Sequence, residues 1–246
     1  MTDKTVFNRY EIKYLLTEEQ SRVVLDAAER FVTPDAYGRS TVRNVYSDTD
    51  NYRLIRRSIE RPFYKEKLRL RSYEKADASS PVFVELKKKY DSVVYKRRIA
   101  LAERDAVEWL SGASECPIDT QISKEIDYFR SFYENLMPTV FLSYEREAFF
   151  AKDNGDLRIT FDRSILARCS DVSLRSDVYG EPILPDGEVL MEIKCSGGIP
   201  LWLVKVLSTE KIYKHRFSKY GSAYEKLILP RLNQENENIK EILTHA

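Results

Sequence analysis

The sequence predicts an α+β fold in which an antiparallel sheet closes into a barrel and helices pack on its outside. About seven segments alternate polar and apolar residues with period 2, which is typical of strands, and their polar faces are rich in Lys and Arg. Four or five other segments have amphipathic helical patterns and need apolar surface to cover. A barrel accommodates all of these patterns, because interior and exterior residues alternate along each strand.

The helical segments begin at capping residues and end near Pro or Gly, which gives each of them defined limits. In chain order they are a helix after the Thr17 and Gln20 capping box that Pro34 ends, a helix over 51–59 capped by Asp50, helices over 103–110 and 119–137, and a last region over 200–207 that resumes over 223–229.

The strand segments carry a strong and uneven charge. Together their polar faces hold thirteen cations and four acids, an excess of nine positive charges, whereas the rest of the chain carries a net charge of eight negative. The formal net charge of +1 therefore conceals a basic sheet surface. The predicted strands cover residues 9–14, 63–71, 82–89, 94–100, 140–149, 157–163 and 189–195.

The composition excludes several classes of protein. With 43% hydrophobic residues the chain is not disordered, and no apolar run is long enough to span a membrane. Only 8 Gly, 2 His and 3 Cys are present, with no GxGxxG, no GxxxxGK[ST] and no CxxC. Common nucleotide-binding loops, His-based triads and zinc knuckles are therefore disfavoured. We expect one cytoplasmic domain over residues 1–246 that works with Lys, Arg, Asp, Glu and Tyr.

Cations that line a barrel need a counter-charge, because an uncompensated buried charge is costly. A wet lumen that holds a polyanion satisfies this requirement. Phosphate chains fit best, since Arg offers a bidentate fork and Lys a point charge for phosphate oxygens. The few carboxylates among the cations suit a divalent metal that also binds phosphate.

Seven short motifs, in order, resemble one known family. They are RYEIKYLL at the start, KLRLR, VELKKK followed by YKRR, SYEREAF, LRITFDR, MEIK and FSKY near the end. Over residues 7–225 the chain is similar to the VTC domain, the polyphosphate polymerase domain of the vacuolar transporter chaperone complex. That family belongs to the triphosphate tunnel metalloenzymes, so the resemblance implies an eight-stranded tunnel that binds ATP and polyphosphate.

The resemblance also implies site residues, most of which lie on the polar strand faces. Arg216, Ser218 and Lys219 are implied by the resemblance alone. Mn²⁺ or Mg²⁺ is the expected cofactor. The catalytic residues are Lys13, Arg69, Arg71, Lys87, Arg146, Arg158 and Lys219, the substrate-binding residues are Lys89, Lys96, Arg98, Tyr144, Lys194, Arg216 and Ser218, and the metal ligands are Glu192 and Glu11.

One position departs from the hydrolytic branch of that class. Those enzymes typically open with ExExK, and here the corresponding residues are Arg9, Glu11 and Lys13. Loss of one glutamate favours a polymerase and leaves Glu11 either a metal ligand or an ion-pair partner. An inorganic triphosphatase or nucleoside triphosphate hydrolase and a non-catalytic polyphosphate-binding module are the alternatives. We expect no nucleic-acid partner, whereas a separate membrane partner and the oligomeric state stay open.

Overall fold

The computed structural model describes residues 10–60, 62–91, 93–153 and 155–244. Within these residues the strands are β1 Tyr10–Thr17, β2 Val32–Pro34, β3 Ser40–Asp48, β4 Tyr64–Ser72, β5 Pro81–Tyr90, β6 Val93–Ala102, β7 Met137–Ala151, β8 Arg158–Arg168, β9 Glu181–Pro182 and β10 Glu188–Cys195. The helices are α1 Glu18–Ala28, α2 Arg53–Ile59, α3 Glu103–Ser111, α4 Gln121–Tyr133, α5 Leu201–Thr209, α6 Lys219–Ala223 and α7 Leu229–Thr244, with a π-helical turn Tyr224–Ile228 before α7.

The strands form one large antiparallel sheet, so the predicted α+β class is confirmed. The strand order is β1-β10-β8-β7-β3-β4-β5-β6, with β2 paired to β7 and β9 paired to β8. The order begins with β1 and ends with β6, and over the described residues the sheet is not closed. Closure into an eight-stranded barrel is therefore not confirmed.

Several helix boundaries differ from the prediction. The capping box of Thr17 and Gln20 is present, but α1 ends at Ala28. Residues 32–34 form β2 instead of continuing the helix to Pro34, because β-branched Val32 and Thr33 favour a strand and pair with β7. The helix predicted over 119–137 is also too long. It ends at Tyr133, since Glu134 and Asn135 adopt left-handed φ values of 47° and 43°.

The predicted cap of α2 is wrong. The helix begins at Arg53, and Asp48, not Asp50, accepts hydrogen bonds from the backbone N–H groups of Leu54 (2.9 Å) and Ile55 (3.0 Å). Asp48 ends β3, a strand that the alternation pattern did not reveal. Residues 42 and 44–48 are all buried, so both faces of this strand are covered and the polar side chains do not alternate with apolar ones.

The chain divides into two compact units. Unit 1 comprises the described residues within 10–41, 144–165 and 184–217. Its core contains Tyr14 of β1, Ile159 of β8 and Met191 of β10, together with Val24 of α1 and Leu203 of α5. Helices α1 and α5 therefore cover the apolar faces of these strands, and the cations of the same strands lie on the opposite faces.

Unit 2 comprises the described residues within 42–143, 166–183 and 218–244. Its core contains Val84 and Leu86 of β5 with Trp109 of α3 and Ile126 and Phe129 of α4. All five side chains are at most 2% exposed. The helices again cover the apolar strand faces, which leaves the Lys- and Arg-rich faces on the other side of the strands.

This architecture does not decide how many domains the chain has, so the prediction of one domain over residues 1–246 stays a prediction. Among the described helices, none combines the length and the apolar character that a membrane span requires.

Candidate functional site

Strands β1, β7, β8 and β10 carry a cluster of charges in unit 1. In the pairing of β1 with β10, Lys13 lies opposite Glu192 and Glu11 opposite Lys194. Side chains opposite each other in an antiparallel pair share one face, which brings these four together. We call this group, with the charges that β7 and β8 add to it, the Glu192 cluster, and it comprises Glu11, Lys13, Arg146, Asp162, Glu192 and Lys194.

Glu192 is the centre of this cluster and its side chain is only 7% exposed. Its Oε1 lies 3.4 Å from Nζ of Lys13, and its Oε2 lies 3.4 Å from Nζ of Lys194 and 3.7 Å from Nη2 of Arg146. Lys13 also lies 3.5 Å from a carboxylate oxygen of Glu11 and donates to the carbonyl oxygen of Phe217 at 3.0 Å. Three cations thus surround one nearly buried carboxylate.

Arg146 forms a close ion pair with Asp162 in unit 1. Its Nε and Nη2 each donate to one oxygen of Asp162 at 2.6 Å, a bidentate arrangement. Asp162 is fully buried, and the Arg146 guanidinium also lies 5.0 Å from the ring centre of Tyr144. The sequence indicated a phosphate contact for Arg146 but gave no role to Asp162, whose position depends on the register of β8.

Two further predicted residues of unit 1 have different surroundings. Arg158 lies opposite Lys194 in the pairing of β8 with β10, and its guanidinium lies 4.9 Å from the ring centre of Phe150. Arg158 therefore shares the cationic face. Arg216 is exposed, and its closing role stays a prediction.

Strands β4, β5 and β6 carry a second cluster, in unit 2. Glu85 on β5 lies opposite Arg69 on β4 and opposite Arg98 on β6, and its side chain is 1% exposed. Arg71 and Lys96 also approach the same carboxylate. We call Arg69, Arg71, Glu85, Lys96 and Arg98 the Glu85 cluster.

Neutral side chains hold the arginines of the Glu85 cluster in place. Arg69 donates to the hydroxyl oxygen of Tyr46 at 3.1 Å, and Arg71 donates to the amide oxygen of Asn44 at 2.9 Å. Both acceptors lie on β3, so sequence reasoning missed them together with that strand. Arg98 donates to the hydroxyl of Tyr73 at 3.2 Å.

Lysines face each other farther along β4 and β5. Lys65 lies opposite Lys89 and Lys67 opposite Lys87 in the pairing. Like charges directly opposite each other destabilise a sheet, so an anion that binds between them would relieve the repulsion. This part of the face brings Lys87 and Lys89 together as the sequence predicted.

The segment before α6 contacts the same lysines. Nζ of Lys67 donates to Oγ of Ser218 at 3.0 Å, and Ser218 also caps α6 by accepting from the backbone N–H of Gly221. Lys219 follows and is buried, at 9% exposure. The predicted contribution of Ser218 to the cationic face is thus consistent with its contact to Lys67.

Tyr220 anchors this segment in unit 2. Its hydroxyl donates to Oδ2 of Asp48 at 2.8 Å, and its ring stacks on that of Tyr46 with centres 4.7 Å apart. Burial raises the pKa of Asp48, although three backbone hydrogen bonds and one side-chain hydrogen bond oppose the rise. Tyr220 therefore connects Ser218 and Lys219 to Tyr46, whose hydroxyl oxygen accepts a hydrogen bond from Arg69.

Replacing Tyr220 with phenylalanine should lower the free energy of unfolding by about 1–3 kcal/mol, because a buried carboxylate loses a hydrogen-bond donor. Urea denaturation followed by circular dichroism measures the change. Tyr213→Phe is the matched control, since Tyr213 is 75% exposed, and we expect it to stay within about 0.5 kcal/mol of the parent chain. Equal stability of Tyr220→Phe and the parent would show that the bond to Asp48 contributes nothing.

The donor set of unit 1 fits a divalent metal that phosphate helps to hold. The described residues contain no group of three or more His, Cys, Asp and Glu side chains placed to bind a metal by themselves. Mg²⁺, however, usually takes one or two carboxylates and completes its shell with phosphate oxygens and water. Glu11 and Glu192 meet this requirement, because both already approach one cation, the ammonium of Lys13.

Two solved structures are among the proteins to which this chain is similar. A crystal structure from Bacillus halodurans, described as that of a candidate adenylate cyclase, has 16% sequence identity and a TM-score of 0.53, covering 87% of this chain and 94% of its own. One from Vibrio parahaemolyticus, described in the same way, has 10% identity and a TM-score of 0.48, covering 89% and 98%. Among curated proteins, none matches the chain.

The likeness to the structure from Bacillus halodurans shows a shared fold. The VTC domain model matches residues 8–228, nearly the whole sequence. This chain belongs to the VTC domain family.

Proposed function

We propose that the chain is a metal-dependent polyphosphate polymerase that transfers the terminal phosphoryl group of ATP to a growing polyphosphate chain. The observation that carries this proposal is the concentration of arginines and lysines on strand faces that also hold the nearly buried carboxylates Glu85 and Glu192. Membership of the VTC domain family supports it. The proposal includes closure of the sheet into an eight-stranded tunnel and a single domain over residues 1–246.

The chain's own part in the reaction is to position phosphates and neutralise their charge. Phosphoryl transfer needs little covalent help from the protein, and its barrier falls when fixed cations surround the transferred group. In unit 1, Arg146 and Lys13 supply such charges, and each is already held by a carboxylate or a carbonyl. Arg69 and Arg98 supply them in unit 2.

Glu192 is the proposed metal ligand, with Glu11 as a second carboxylate. Proteins of the tunnel class are generally dependent on divalent metals, and Mn²⁺ or Mg²⁺ suits oxygen donors. When bound, the metal would polarise phosphate oxygens as a Lewis acid. Lys13 and Lys194 would then turn from Glu192 to phosphate oxygens, which leaves the carboxylate available to the cation.

The decisive experiment is incubation of the chain with radiolabelled ATP and Mn²⁺, followed by gel separation of the products. A ladder of polyphosphate supports the polymerase, and free phosphate alone would establish the triphosphate hydrolase instead. Tight polyphosphate binding without metal-dependent turnover would establish a binding module. Each of the last two outcomes contradicts the proposal.

Arg69→Ala should lower polymer synthesis by a factor of about 10²–10³, the usual effect of losing one fixed donor to the transition state. Initial rates of polymer formation measure the loss. Arg104→Ala is the matched control, because Arg104 lies on α3 with a side chain 67% exposed and should leave the rate unchanged. Wild-type rates in Arg69→Ala, with folding verified by circular dichroism, would remove Arg69 from the site.

The proposed small-molecule partners are ATP and polyphosphate or triphosphate. A cytoplasmic location, the lack of a nucleic-acid partner and a separate membrane partner stay predictions from the sequence. Arg9, which replaces a glutamate of the hydrolytic pattern, lies outside the described residues, as does any contact that it makes.

A further inference from the structure

The carboxylate of Glu85 lies at the centre of three neighbouring strands of unit 2. In register it is flanked by Arg69 on β4 and by Arg98 on β6. Its side chain is 1% exposed, so water does not screen its charge. Glu85 therefore contacts cations on both neighbouring strands, β4 and β6.

The two oxygens of Glu85 divide these cations between them. Oε2 accepts from Nε and Nη2 of Arg69 at 2.8 and 2.6 Å and lies 3.9 Å from Nη1 of Arg71. Oε1 accepts from Nε of Arg98 at 2.6 Å and lies 2.8 Å from Nζ of Lys96. One oxygen therefore holds the cations of β4 and the other holds those of β6.

We propose that Glu85 is a positioning residue, whose carboxylate fixes the cations of β4 and β6 so that together they bind phosphate. The cluster keeps an excess of three positive charges, because four cations surround one carboxylate. This inference deepens the proposed function, since the ligand of the positioned cations is the phosphate chain proposed above.

The groups around Lys96 shift its pKa in opposite directions, and Glu85 is the one that favours the charged form. Burial and the neighbouring Arg98 and Arg69 lower the pKa of Lys96, whereas Glu85 raises it, and the outcome is a pKa of about 8. Glu85 itself stays ionised, because Arg69, Arg71 and Lys96 outweigh its burial and hold its pKa well below the ordinary value. Other titratable groups at this face include Tyr73, bonded to Arg98, Tyr46, bonded to Arg69, and Lys87, which lies opposite Lys96 on β6 and opposite Lys67 on β4.

Removal of the carboxylate should therefore discharge Lys96. The test without ligand is a pH titration of the chain with ¹³C-labelled lysine, followed by NMR, in which Lys96→Arg assigns the Lys96 signal. We expect a midpoint near pH 8 in the parent chain and a midpoint at least one unit lower in Glu85→Gln. An unchanged midpoint in Glu85→Gln would overturn the proposal.

Glu85→Asp keeps the negative charge and serves as the conservative variant. We expect its Lys96 midpoint to stay nearer to that of the parent than the midpoint of Glu85→Gln does. If Glu85→Gln does not fold, Glu85→Asp decides alone: its shorter side chain draws the carboxylate away from Nζ, so a lower midpoint supports the proposal and an identical one contradicts it.

A second measurement connects Glu85 to the ligand. Calorimetric titration with tripolyphosphate should give affinity that falls as the pH rises through 8, because Lys96 loses its proton there. The fall should begin at lower pH in Glu85→Gln and should disappear from this range in Lys96→Arg. The same pH profile in the parent and in Glu85→Gln would contradict the role of Glu85. Failure of the parent chain to bind tripolyphosphate would contradict the proposed function, while the NMR titration still decides the role of Glu85.

Discussion

Arg146→Ala is expected to abolish polymer synthesis and also to lower the free energy of unfolding by about 3–5 kcal/mol. The second effect follows from Asp162, which is fully buried and holds both of its oxygens 2.6 Å from Arg146. When the Arg146 guanidinium is removed, the buried carboxylate of Asp162 loses its bidentate partner. Product gels measure the first effect and denaturant titration the second.

A double variant separates the two effects. Replacing both Arg146 and Asp162 with leucine removes the whole ion pair, and such replacements are often neutral or stabilising. We expect Arg146→Leu/Asp162→Leu to regain most of the lost stability without regaining activity. Arg39→Ala is the control for a surface pair, because Arg39 and its partner Glu145 are 55% and 40% exposed, and it should cost less than about 1 kcal/mol. Recovery of polymer synthesis in the double variant would show that Arg146 acts only through stability.

Glu192→Gln is expected to remove metal-dependent turnover, with a loss of about 10²–10³ in rate, the effect of losing a fixed charge at the reacting phosphates. The amide cannot replace an anionic oxygen ligand for Mn²⁺ or Mg²⁺. Binding of tripolyphosphate without metal should persist or become tighter, because Lys13, Arg146 and Lys194 lose their competing carboxylate. Rates against metal concentration and calorimetry without metal measure the two quantities.

Glu11→Gln is the matched control for this variant. Glu11 is more exposed than Glu192, with 28% of its side chain accessible, and its carboxylate lies 3.5 Å from Nζ of Lys13. We expect a smaller loss and a weaker apparent affinity for metal. If Glu192→Gln retained the metal response of the parent while Glu11→Gln lost it, the assignment of the main ligand would be reversed.

The alternation of residues was enough to predict most strands and the face on which their cations lie. Lys65, Lys67, Arg69 and Arg71 share a face because side chains repeat with period 2, whatever the strand pairs with. The apolar residues opposite them, such as Leu68 and Leu70, are buried in unit 2 as this pattern requires. The helix starting after Thr17 followed from local capping chemistry in the same way.

The alternation of residues could not predict contacts that depend on the register between paired strands. Glu85 was counted as one charge among many, and its contact with Arg98 depends on the pairing of Tyr90 with Val93. Counting back along both strands from that pairing would have placed these two charges opposite each other. Strand β3 was missed for a different reason, because a strand buried on both faces has no polar face to mark it.

The pairing of β1 with β10 has a consequence for synthesis of the chain. Tyr10 lies opposite Cys195 and Thr17 opposite Glu188, so β1 leaves the ribosome long before the strand with which it pairs. At about 5–20 residues per second, β1 waits roughly ten to forty seconds with its apolar side chains exposed. During that interval the nascent β1 is a target for chaperones and for aggregation, and unit 1 gains its core only after residues 188–195 have emerged.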